Sequence, residues 1–310
     1  LVHMFFETLC IRTEDRSAEL DELTGKGLPY LNGGLFLKHD LEEKYPDIDV
    51  ENRALSEVFQ FLESWMWNVS ERSETDEDAI DPYILGYIFE KSLGENKSQG
   101  VYYTPPFLSE FLARETIQAH LLQYANRVAA SGRYAALSDF LGKAPEPELV
   151  FFFEHLRTLS VCDPACGSGQ FLVQSLHELS SIHESIIERA QKEKMADLLR
   201  HIGKDYSVEG EHVYAVRRFI VAHNLYGVDM LAESVEITKL RLFIGMVEGL
   251  EREIREPLPN IDFNIRTGNS LIGFTEKPRL VRESKDAAQE QFSLDFGAVE
   301  ETFHSRELKI

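Results

Sequence analysis

Long apolar runs are what this 310-residue sequence most clearly lacks. No stretch approaches the roughly 20 consecutive apolar residues that a membrane-spanning helix needs, and no basic leader with a cleavage site opens the chain. Cysteine is also scarce, because Cys10, Cys162 and Cys166 are too few for a disulfide framework or, without a second Cys or His pair, for a zinc site. We therefore expect a cytoplasmic protein from a reducing compartment, with no membrane partner and no bound metal.

Positive charge is in short supply as well. The chain has 32 Lys and Arg against 53 Asp and Glu, which gives a formal net charge of -21. Contacts to phosphates need Lys and Arg, so this composition disfavours the chain alone as a strong nucleic-acid binder. The charge is still compatible with a nucleic-acid enzyme whose basic surface lies elsewhere.

The middle of the chain has the patterning of an α/β fold. A short apolar stretch over 159–163 predicts a strand, and a Gly-rich turn and a helical pattern over 170–200 follow it. The sequence NLYGVDM (224–230) predicts a second strand that ends on an acid, and NIDFNIRTGNSLIG (260–273) predicts a third that ends in a Gly-Asn turn. Together these elements predict a βαβαβ half of a doubly wound, Rossmann-like fold.

Three regions follow from this reading. Residues 1–95 read as a mainly helical connector section, and residues 96–275 carry the α/β half. After Phe274 the sequence turns polar and loses its periodicity, so residues 276–310 are interpreted as a linker or the start of an insert.

The Gly-rich turn lies in DPACGSGQF (163–171) and has the residues of a ligand cradle. Gly167 and Gly169 permit a positive φ and a close approach of the backbone to a ligand, and Asp163 stands at a strand end, where ligands bind in such folds. Two features of nucleotide motifs are missing, because no Lys follows the glycines and Leu172 stands where a dinucleotide motif has its third Gly. A phosphate ligand and a dinucleotide-dependent oxidoreductase are therefore disfavoured.

A second acid, Asp229, ends the next predicted strand. Acids at this position commonly bind ribose hydroxyls. Asp229 follows Asp163 by 66 residues, against about 20 in the compact unit, which indicates a helical insertion over about 177–223. The alternative is that Asp229 only caps the helix that follows.

Four motifs, in the expected order, resemble those of the amino (N6-adenine) DNA methyltransferases. They are GVYYTPPFLSEFL (100–112), DPACGSGQF (163–171), LYGVDMLAESVEITKLRLFI (225–244) and IRTGNSLIG (265–273). The front sequences LPYLNGGLF (28–36) and ILGYIFEKSL (84–93) are similar to the helical segment that precedes the methylase in Eco57I-like or type IIG restriction–modification proteins. The resemblance implies a partial doubly wound, Rossmann-like methyltransferase core, preceded by a mainly helical section, with S-adenosyl-L-methionine (AdoMet) as cofactor.

The resemblance also implies a cofactor site assembled from all four motifs. The first motif lines the methionine end of AdoMet, and the second forms the cradle with Asp163 near the amino group. Asp229 accepts hydrogen bonds from the ribose hydroxyls and Met230 packs on the adenine, whose amino group Asn269 contacts through its side-chain carbonyl. The implied cofactor-binding residues are Tyr102, Tyr103, Thr104, Pro105, Asp163, Pro164, Ala165, Cys166, Gly167, Gly169, Asp229, Met230, Asn269 and Ser270, with Phe171 and Leu271 as apolar walls.

The catalytic motif of that family is absent from the sequence. The family has (N/D/S)-P-P-(Y/F/W) downstream of the Gly-Asn turn, which accepts the protons of the target amino group and stacks on the flipped base. No such string follows residue 274, and TPPF (104–107) and DPY (81–83) are poor substitutes. We assign no catalytic residue, and we expect a truncated chain that binds AdoMet weakly or not at all and does not methylate DNA by itself.

The function that the resemblance implies is the AdoMet-binding part of a site-specific DNA adenine-N6 methyltransferase in a restriction–modification or phage-defence system. Its implied partners are double-stranded DNA, contacted through parts of the parent protein outside this chain, and other restriction–modification subunits. The alternative is a non-catalytic AdoMet-sensing or assembly module of a larger defence complex, which the absence of the catalytic motif from the native gene would favour.

Overall fold

A computed structural model gives the fold of the chain. It describes residues 8–19, 22, 30, 44–45, 51–64, 66–67, 79–80, 86, 88, 91, 104–130, 132–204, 212–248, 258–272, 279–283 and 291–295. The chain divides into two compact units, Leu1–Gly268 and Asn269–Ile310. Each unit is described by itself.

A three-stranded parallel sheet forms the centre of the first unit. Its strands are β3 (Val161–Asp163), β4 (Leu225–Asp229) and β5 (Ile265–Thr267), in the spatial order β3-β4-β5. Asp163 pairs with Gly227, and Asp229 pairs with Thr267, so the carboxyl ends of the strands lie at one edge. The three strands expected from the sequence are confirmed, although the sheet is small.

The helices that join these strands follow the expected insertion. Between β3 and β4 lie α5 (Gln170–Lys192), α6 (Ala196–Ile202) and α7 (His212–His223), and α8 (Ala232–Val247) connects β4 to β5. The predicted continuous helical pattern over 170–200 is broken at Lys194, which has a φ of 56°. The N–H of Met195 then bonds to the carbonyl of Ala190 at 2.9 Å, which is the closing bond of a Schellman motif.

Three helices lie directly before β3 in the sequence. They are α2 (Pro106–Val128), α3 (Leu137–Lys143) and α4 (Glu146–Thr158). Prolines occupy the first positions of α2 and α4, where the missing N–H costs nothing. Helix α4 was not predicted, since its five consecutive apolar residues (149–153) hide the helical period.

The core is formed by the buried faces of these helices. Every third or fourth residue of α2 is buried, from Ser109 through Ala113 to Ala125, which is the stripe that a core-facing helix presents. Burial of large side chains provides most of the stabilisation, at roughly 25 cal/mol per Å² of apolar surface. The largest fully buried side chains are Phe140, Phe152, Phe153, Leu121, Leu149, Leu156, Leu172, Leu176, Leu179, Ile186, Leu198 and Ile220.

Two asparagines fix the starts of β4 and β5. Asn224 precedes β4, and its side-chain amide donates to the carbonyl of Leu159 at 2.6 Å. The backbone carbonyl of Asn224 accepts from the N–H of Val161 at 2.7 Å. Asn264 precedes β5 and donates in the same way to the carbonyl of Leu225 at 3.1 Å. Each amide thus ties the entry of one strand to the entry of its neighbour, which fixes their register.

The described residues outside this core add a few local elements. In the first ninety-five residues they form a 3₁₀ turn (Thr13–Asp15), helix α1 (Asn52–Ser64) and a parallel pair of short strands, β1 (Met66–Trp67) and β2 (Ala79–Ile80). The second unit contains the antiparallel strands β6 (Arg279–Glu283) and β7 (Gln291–Asp295). The sequence did not predict strands in either place.

Candidate cofactor-binding site

The Gly-rich turn connects the end of β3 to the start of α5. Gly167 and Gly169 have φ values of 54° and 83°, a region that other residues occupy only at a cost. A Cβ on Gly169 would also lie 2.7 Å from Cγ2 of Thr238. Both the backbone conformation and the packing against α8 therefore require glycine at position 169.

The turn is hydrogen-bonded to the end of β4. The N–H of Cys166 donates to the carbonyl of Val228 at 3.0 Å, and the N–H of Gly167 donates to Oδ2 of Asp229 at 2.9 Å. The turn thus folds over the end of the neighbouring strand, and two of its backbone donors are occupied there.

Asp229 joins the two loops at the carboxyl edge of the sheet. Its Oδ1 accepts the N–H of Leu231 at 2.9 Å while its Oδ2 holds Gly167. Leu231, and not Asp229, is the N-cap residue of α8, so the simple capping interpretation is wrong. A carboxylate has about four acceptor positions, and these two bonds leave capacity for the hydroxyls of a ligand.

Asp163 has a different environment at the end of β3. Its Oδ1 accepts the N–H of Ala165 at 3.1 Å. Burial raises the pKa of its carboxyl group, the negative charge of Asp229 raises it further, and the bond from Ala165 opposes both effects. Partial burial beside a second acid makes the carboxylate of Asp163 a site where a cationic or amino-bearing group would be stabilised.

Cys166 forms the buried wall beneath the turn. Its exposed fraction is 5%, and burial together with the charges of Asp163 and Asp229 raises the pKa of its thiol to about 12. The thiol is therefore protonated at neutral pH and is a poor nucleophile. Cys166 contributes packing to the site rather than covalent chemistry.

Helix α8 supports the turn from the side opposite β3. The hydroxyl of Thr238 donates to the carbonyl of Gly167 at 2.9 Å. Arg241, only 3% exposed, donates through Nη1 to the carbonyl of Ser168 at 2.9 Å and to its Oγ at 3.2 Å, and through Nη2 to Oε1 of Gln170 at 2.5 Å.

Sequence reasoning missed both Thr238 and Arg241. The signal that could have found them is their position, because Thr238 and Arg241 are three residues apart on α8 and both lie on its buried face with Val235 and Leu242. A hydroxyl and a guanidinium on the buried stripe of a helix need polar partners, and the carbonyl groups of a Gly-rich turn provide them.

A cavity of about 460 Å³ lies between α2 and β3. The six consecutive residues 159–164 line it, whereas alternate residues of a strand point to opposite faces. The cavity therefore follows the outer edge of β3, which is the end strand of the three-stranded sheet. Its further lining residues are Leu112, Ala113, Thr116, Ile117, His120, Phe171, Leu172 and Ser175.

The structure brings together part of the expected site. Asp163, Pro164 and Phe171 line the cavity, and the cradle from Ala165 to Gly169 meets Asp229 as described above. Met230 is 69% exposed beside Asp229, where its side chain is open to a ligand.

Thr104 and Pro105 are not among the described residues that line this cavity. They precede α2, about two turns before Leu112. Tyr102 and Tyr103 lie outside the described residues.

The expected adenine-contacting residues belong to the second unit. There, Oδ1 of Asn269 accepts the N–H of Leu271 at 3.0 Å, and Leu271 is exposed. Ser270 lies in the same turn. In these described residues Asn269 shapes its own turn, and its amide group still has donors and one acceptor position available.

Within the described residues no helix is long and apolar enough to cross a membrane. Over the same part of the chain, no group of three or more His, Cys, Asp and Glu side chains is placed to hold a metal ion.

A small parallel sheet with a Gly-rich first turn and acids on two adjacent strand ends has the arrangement of a ligand site in an open α/β sheet. Comparison with known proteins identifies the class of domain that the chain resembles. Residues 142–271 match the family described as MmeI, DNA-methyltransferase domain. The match begins in α3 and ends just after β5, so it includes the whole sheet and both acids.

Two known proteins are similar to the chain in sequence. A Methanocaldococcus jannaschii protein that carries the name of a type II restriction enzyme and methyltransferase, RM.MjaORFECS2P, is 30% identical over 294 residues, which are 88% of this chain and 24% of the relative. The type II restriction enzyme and methyltransferase RM.Eco57I of Escherichia coli is 29% identical over 119 residues, which are 37% of this chain and 11% of the relative. The chain thus spans about a quarter of the first relative and less of the second.

These findings confirm the resemblance to the methyltransferase region of Eco57I-like restriction–modification proteins. The matched part of the chain is similar to the methyltransferase domain of restriction–modification enzymes.

Proposed function

We propose that the chain is the AdoMet-binding part of a DNA adenine-N6 methyltransferase from a restriction–modification system. The observation that carries this proposal is the pair of strand-end acids around the Gly-rich turn. Asp163 is partly buried with a raised pKa, and Asp229 is connected to the turn through Gly167. The methionine end of AdoMet carries an amino group and its ribose carries two hydroxyls, and all of these are donors that carboxylates accept.

The arrangement of the sheet supports a doubly wound core. In such folds the first three strands occupy the order 3-2-1, and the fourth strand pairs on the free side of strand 1. The order β5-β4-β3 corresponds to 3-2-1, and the cavity beside β3 lies on the side where a fourth strand would pair. We accordingly propose that the three described strands, which lie within residues 96–275, are half of a larger Rossmann-like sheet.

Adenine is the proposed methyl acceptor because the order of the four motifs resembles that of the N6-adenine methyltransferases. Double-stranded DNA is the proposed substrate of the whole enzyme, because the matching family is described as a DNA-methyltransferase domain and both relatives carry the name of a restriction enzyme. The 310 residues contain no (N/D/S)-P-P-(Y/F/W) string, so we expect no methyl transfer to DNA by this chain alone.

A second candidate is a non-catalytic module that binds AdoMet without using it, which the absence of this string from the native gene would favour. The two candidates share the cofactor site and differ in transfer. Incubation with radiolabelled AdoMet and adenine-containing duplex DNA, in the presence and absence of a chain that carries the missing motif, would separate them. Transfer that requires both chains supports the enzyme, whereas stable binding with no transfer in either mixture supports the module.

Calorimetric titration with AdoMet tests the cofactor site. Although we expect the native chain to bind AdoMet only weakly, it should bind AdoMet in preference to NADH. Asp163→Asn should weaken AdoMet binding by at least about tenfold, because loss of a buried charge–amino contact costs more than about 1.4 kcal/mol. Asp139→Asn is the matched control, since it makes the same chemical change on α3, where Asp139 pairs with Lys143 at the surface. A folded native chain that binds neither ligand, or binds NADH equally well, would overturn the proposal.

A further inference from the structure

The support of the Gly-rich turn includes a residue from far outside the α/β core. Gly86, in the front sequence ILGYIFEKSL, is helical and buried. A Cβ at this position would lie 2.8 Å from Nη1 of Arg241, 3.1 Å from Oγ of Ser168 and 3.2 Å from Cζ of Arg241. The backbone at Gly86 therefore packs directly on the contact between Arg241 and the turn.

The position of Arg241 leaves little room to accommodate a methyl group at residue 86. An arginine end is ordinarily flexible, but this one is buried and its Nη1 is the atom that donates to both polar atoms of Ser168. Nη2 is held at the same time by Gln170. Because the guanidinium is a rigid planar fork, Nη1 cannot move away from residue 86 without disturbing the bonds to the turn.

Helix propensity argues that glycine at position 86 has a packing role. A helical glycine destabilises its helix by about 1 kcal/mol relative to alanine. Close packing against Arg241 explains why glycine is accommodated there, since alanine would clash.

We propose that Arg241 is a positioning residue that sets the geometry of the Gly-rich turn, and that Gly86 couples the segment before the methyltransferase core to this turn. Neither residue needs to touch the cofactor. The coupling means that a displacement of the front segment toward α8 would loosen Ser168 and Gln170 and so weaken the cradle. This inference rests on the proposed AdoMet site for its consequence, and on the contacts of Arg241 for its structure.

A cysteine beneath the turn provides a test that needs no cofactor. Cys166 is buried under the turn, whereas Cys162 on β3 is exposed. In Gly86→Ala, alkylation of Cys166 by iodoacetamide, followed peptide by peptide by mass spectrometry, should be at least about fivefold faster than in the native chain, because a looser turn exposes the thiol and lowers its pKa. The rate at Cys162 should not change and serves as the internal reference.

Gly142 supplies the matched control variant. It lies in α3, and a Cβ there would meet nothing within 4 Å. Gly142→Ala adds the same methyl group to a helix and should leave the alkylation of Cys166 at the native rate. Urea unfolding of both variants establishes that they are folded, and Gly86→Ala should retain most of its stability because alanine improves its own helix.

A double-mutant cycle tests whether Gly86 acts through Arg241. Arg241→Lys lacks the fork that reaches Ser168 and Gln170 together, so it should loosen the turn by itself. If Gly86→Ala acts through the guanidinium, adding it to Arg241→Lys should produce little further change, whereas independent effects would add. Calorimetry should show AdoMet binding weakened about tenfold in each single variant and not further in the double variant.

The outcomes separate the two proposals. An unchanged Cys166 rate in folded Gly86→Ala, or additive effects in the double variant, would overturn the coupling. A faster Cys166 rate with unchanged AdoMet affinity would overturn the positioning role. If the native chain binds no AdoMet, the proposed function fails, and the alkylation cycle alone then decides whether Gly86 and Arg241 hold the turn.

Discussion

Asp163 and Asp229 stand at the ends of adjacent parallel strands, yet their surroundings give them different roles. Asp229 accepts N–H groups from two separate loops, at Gly167 and Leu231. Asp163 accepts a single N–H, from Ala165 in its own loop, and burial raises the pKa of its carboxyl group. The comparison teaches that equivalent positions in a fold can divide the work, with one acid holding the loops together and its neighbour left available for a ligand.

Removal of Asp229 should have the largest effect on stability. Asp229→Ala leaves the N–H groups of Gly167 and Leu231 without their acceptor, and two charge-assisted bonds are involved, so we expect the free energy of unfolding to fall by about 2–3 kcal/mol. Urea denaturation followed by circular dichroism would measure this.

Asp163→Ala is the matched control for that comparison. It removes one bond within a tight turn and should cost less than about 1 kcal/mol. Equal losses in the two variants would show that the two acids share the structural role and would break the distinction drawn here.

Gly167 is held from two sides, and the second of these provides a smaller test. Its N–H meets Asp229, and its carbonyl accepts the hydroxyl of Thr238. Thr238→Val keeps the shape of this fully buried side chain but removes the donor, so we expect a loss of about 1 kcal/mol in unfolding free energy.

Thr158→Val is the control, because Thr158 makes the same kind of bond, to the carbonyl of His155 at 3.0 Å, on the exposed end of α4. Its effect should stay within about 0.5 kcal/mol. A larger loss at Thr158 than at Thr238 would argue that α8 does not support the turn.

The smallest expected effect concerns pH and only Asp163. Because the folded pKa of this carboxyl group lies above its ordinary value of 3.8, the folded state binds its proton more tightly than the unfolded state. Stability therefore falls as pH rises through the window between the unfolded and folded pKa values. Asp163→Asn has no such titration.

The free energy of unfolding of Asp163→Asn, relative to the native chain, should therefore increase as pH rises from about 3.8 through that window and then level off. Urea denaturation at a series of pH values would measure the difference. A difference that is constant across pH, or that decreases as pH rises, would contradict the raised pKa.

Much of the fold follows from local sequence. The strand ends at Asp163, Asp229 and Gly268 are marked by a short apolar stretch followed by an acid or a Gly-Asn turn, and each strand was predicted for that reason. The start of α2 is marked by Pro105 and Pro106 in the same way.

Other elements could not be predicted, since their causes are not local. The end of α5 depends on Lys194 adopting a positive φ, and no glycine marks this position. The continuous apolar sequence of α4 has no visible period, because apolar residues occupy its exposed face as well as its buried face. Phe152 and Phe153 are buried, whereas Phe151 is exposed.

The candidate site divides along the same line. The acids and glycines of the cradle are recognisable from their order, whereas Thr238, Arg241 and Gly86 are separated from the turn by about 70 to 80 residues and belong to the site only through packing. The sequence NLYGVDM (224–230) also gave no indication that Asp229 holds the Gly-rich turn.

The long reach of these contacts has a consequence for how the cradle forms during folding. The bonds from Gly167 to Asp229, from Thr238 to Gly167 and from Arg241 to Ser168 span 62, 71 and 73 residues. Closing loops of that length carries an entropic cost that grows with the logarithm of their length, and it must be met before the turn gains its support. The cradle should therefore take shape only after α5, β4 and α8 have assembled, and a peptide that carries β3, the turn and α5 alone would contain all the glycines without the conformation that they serve.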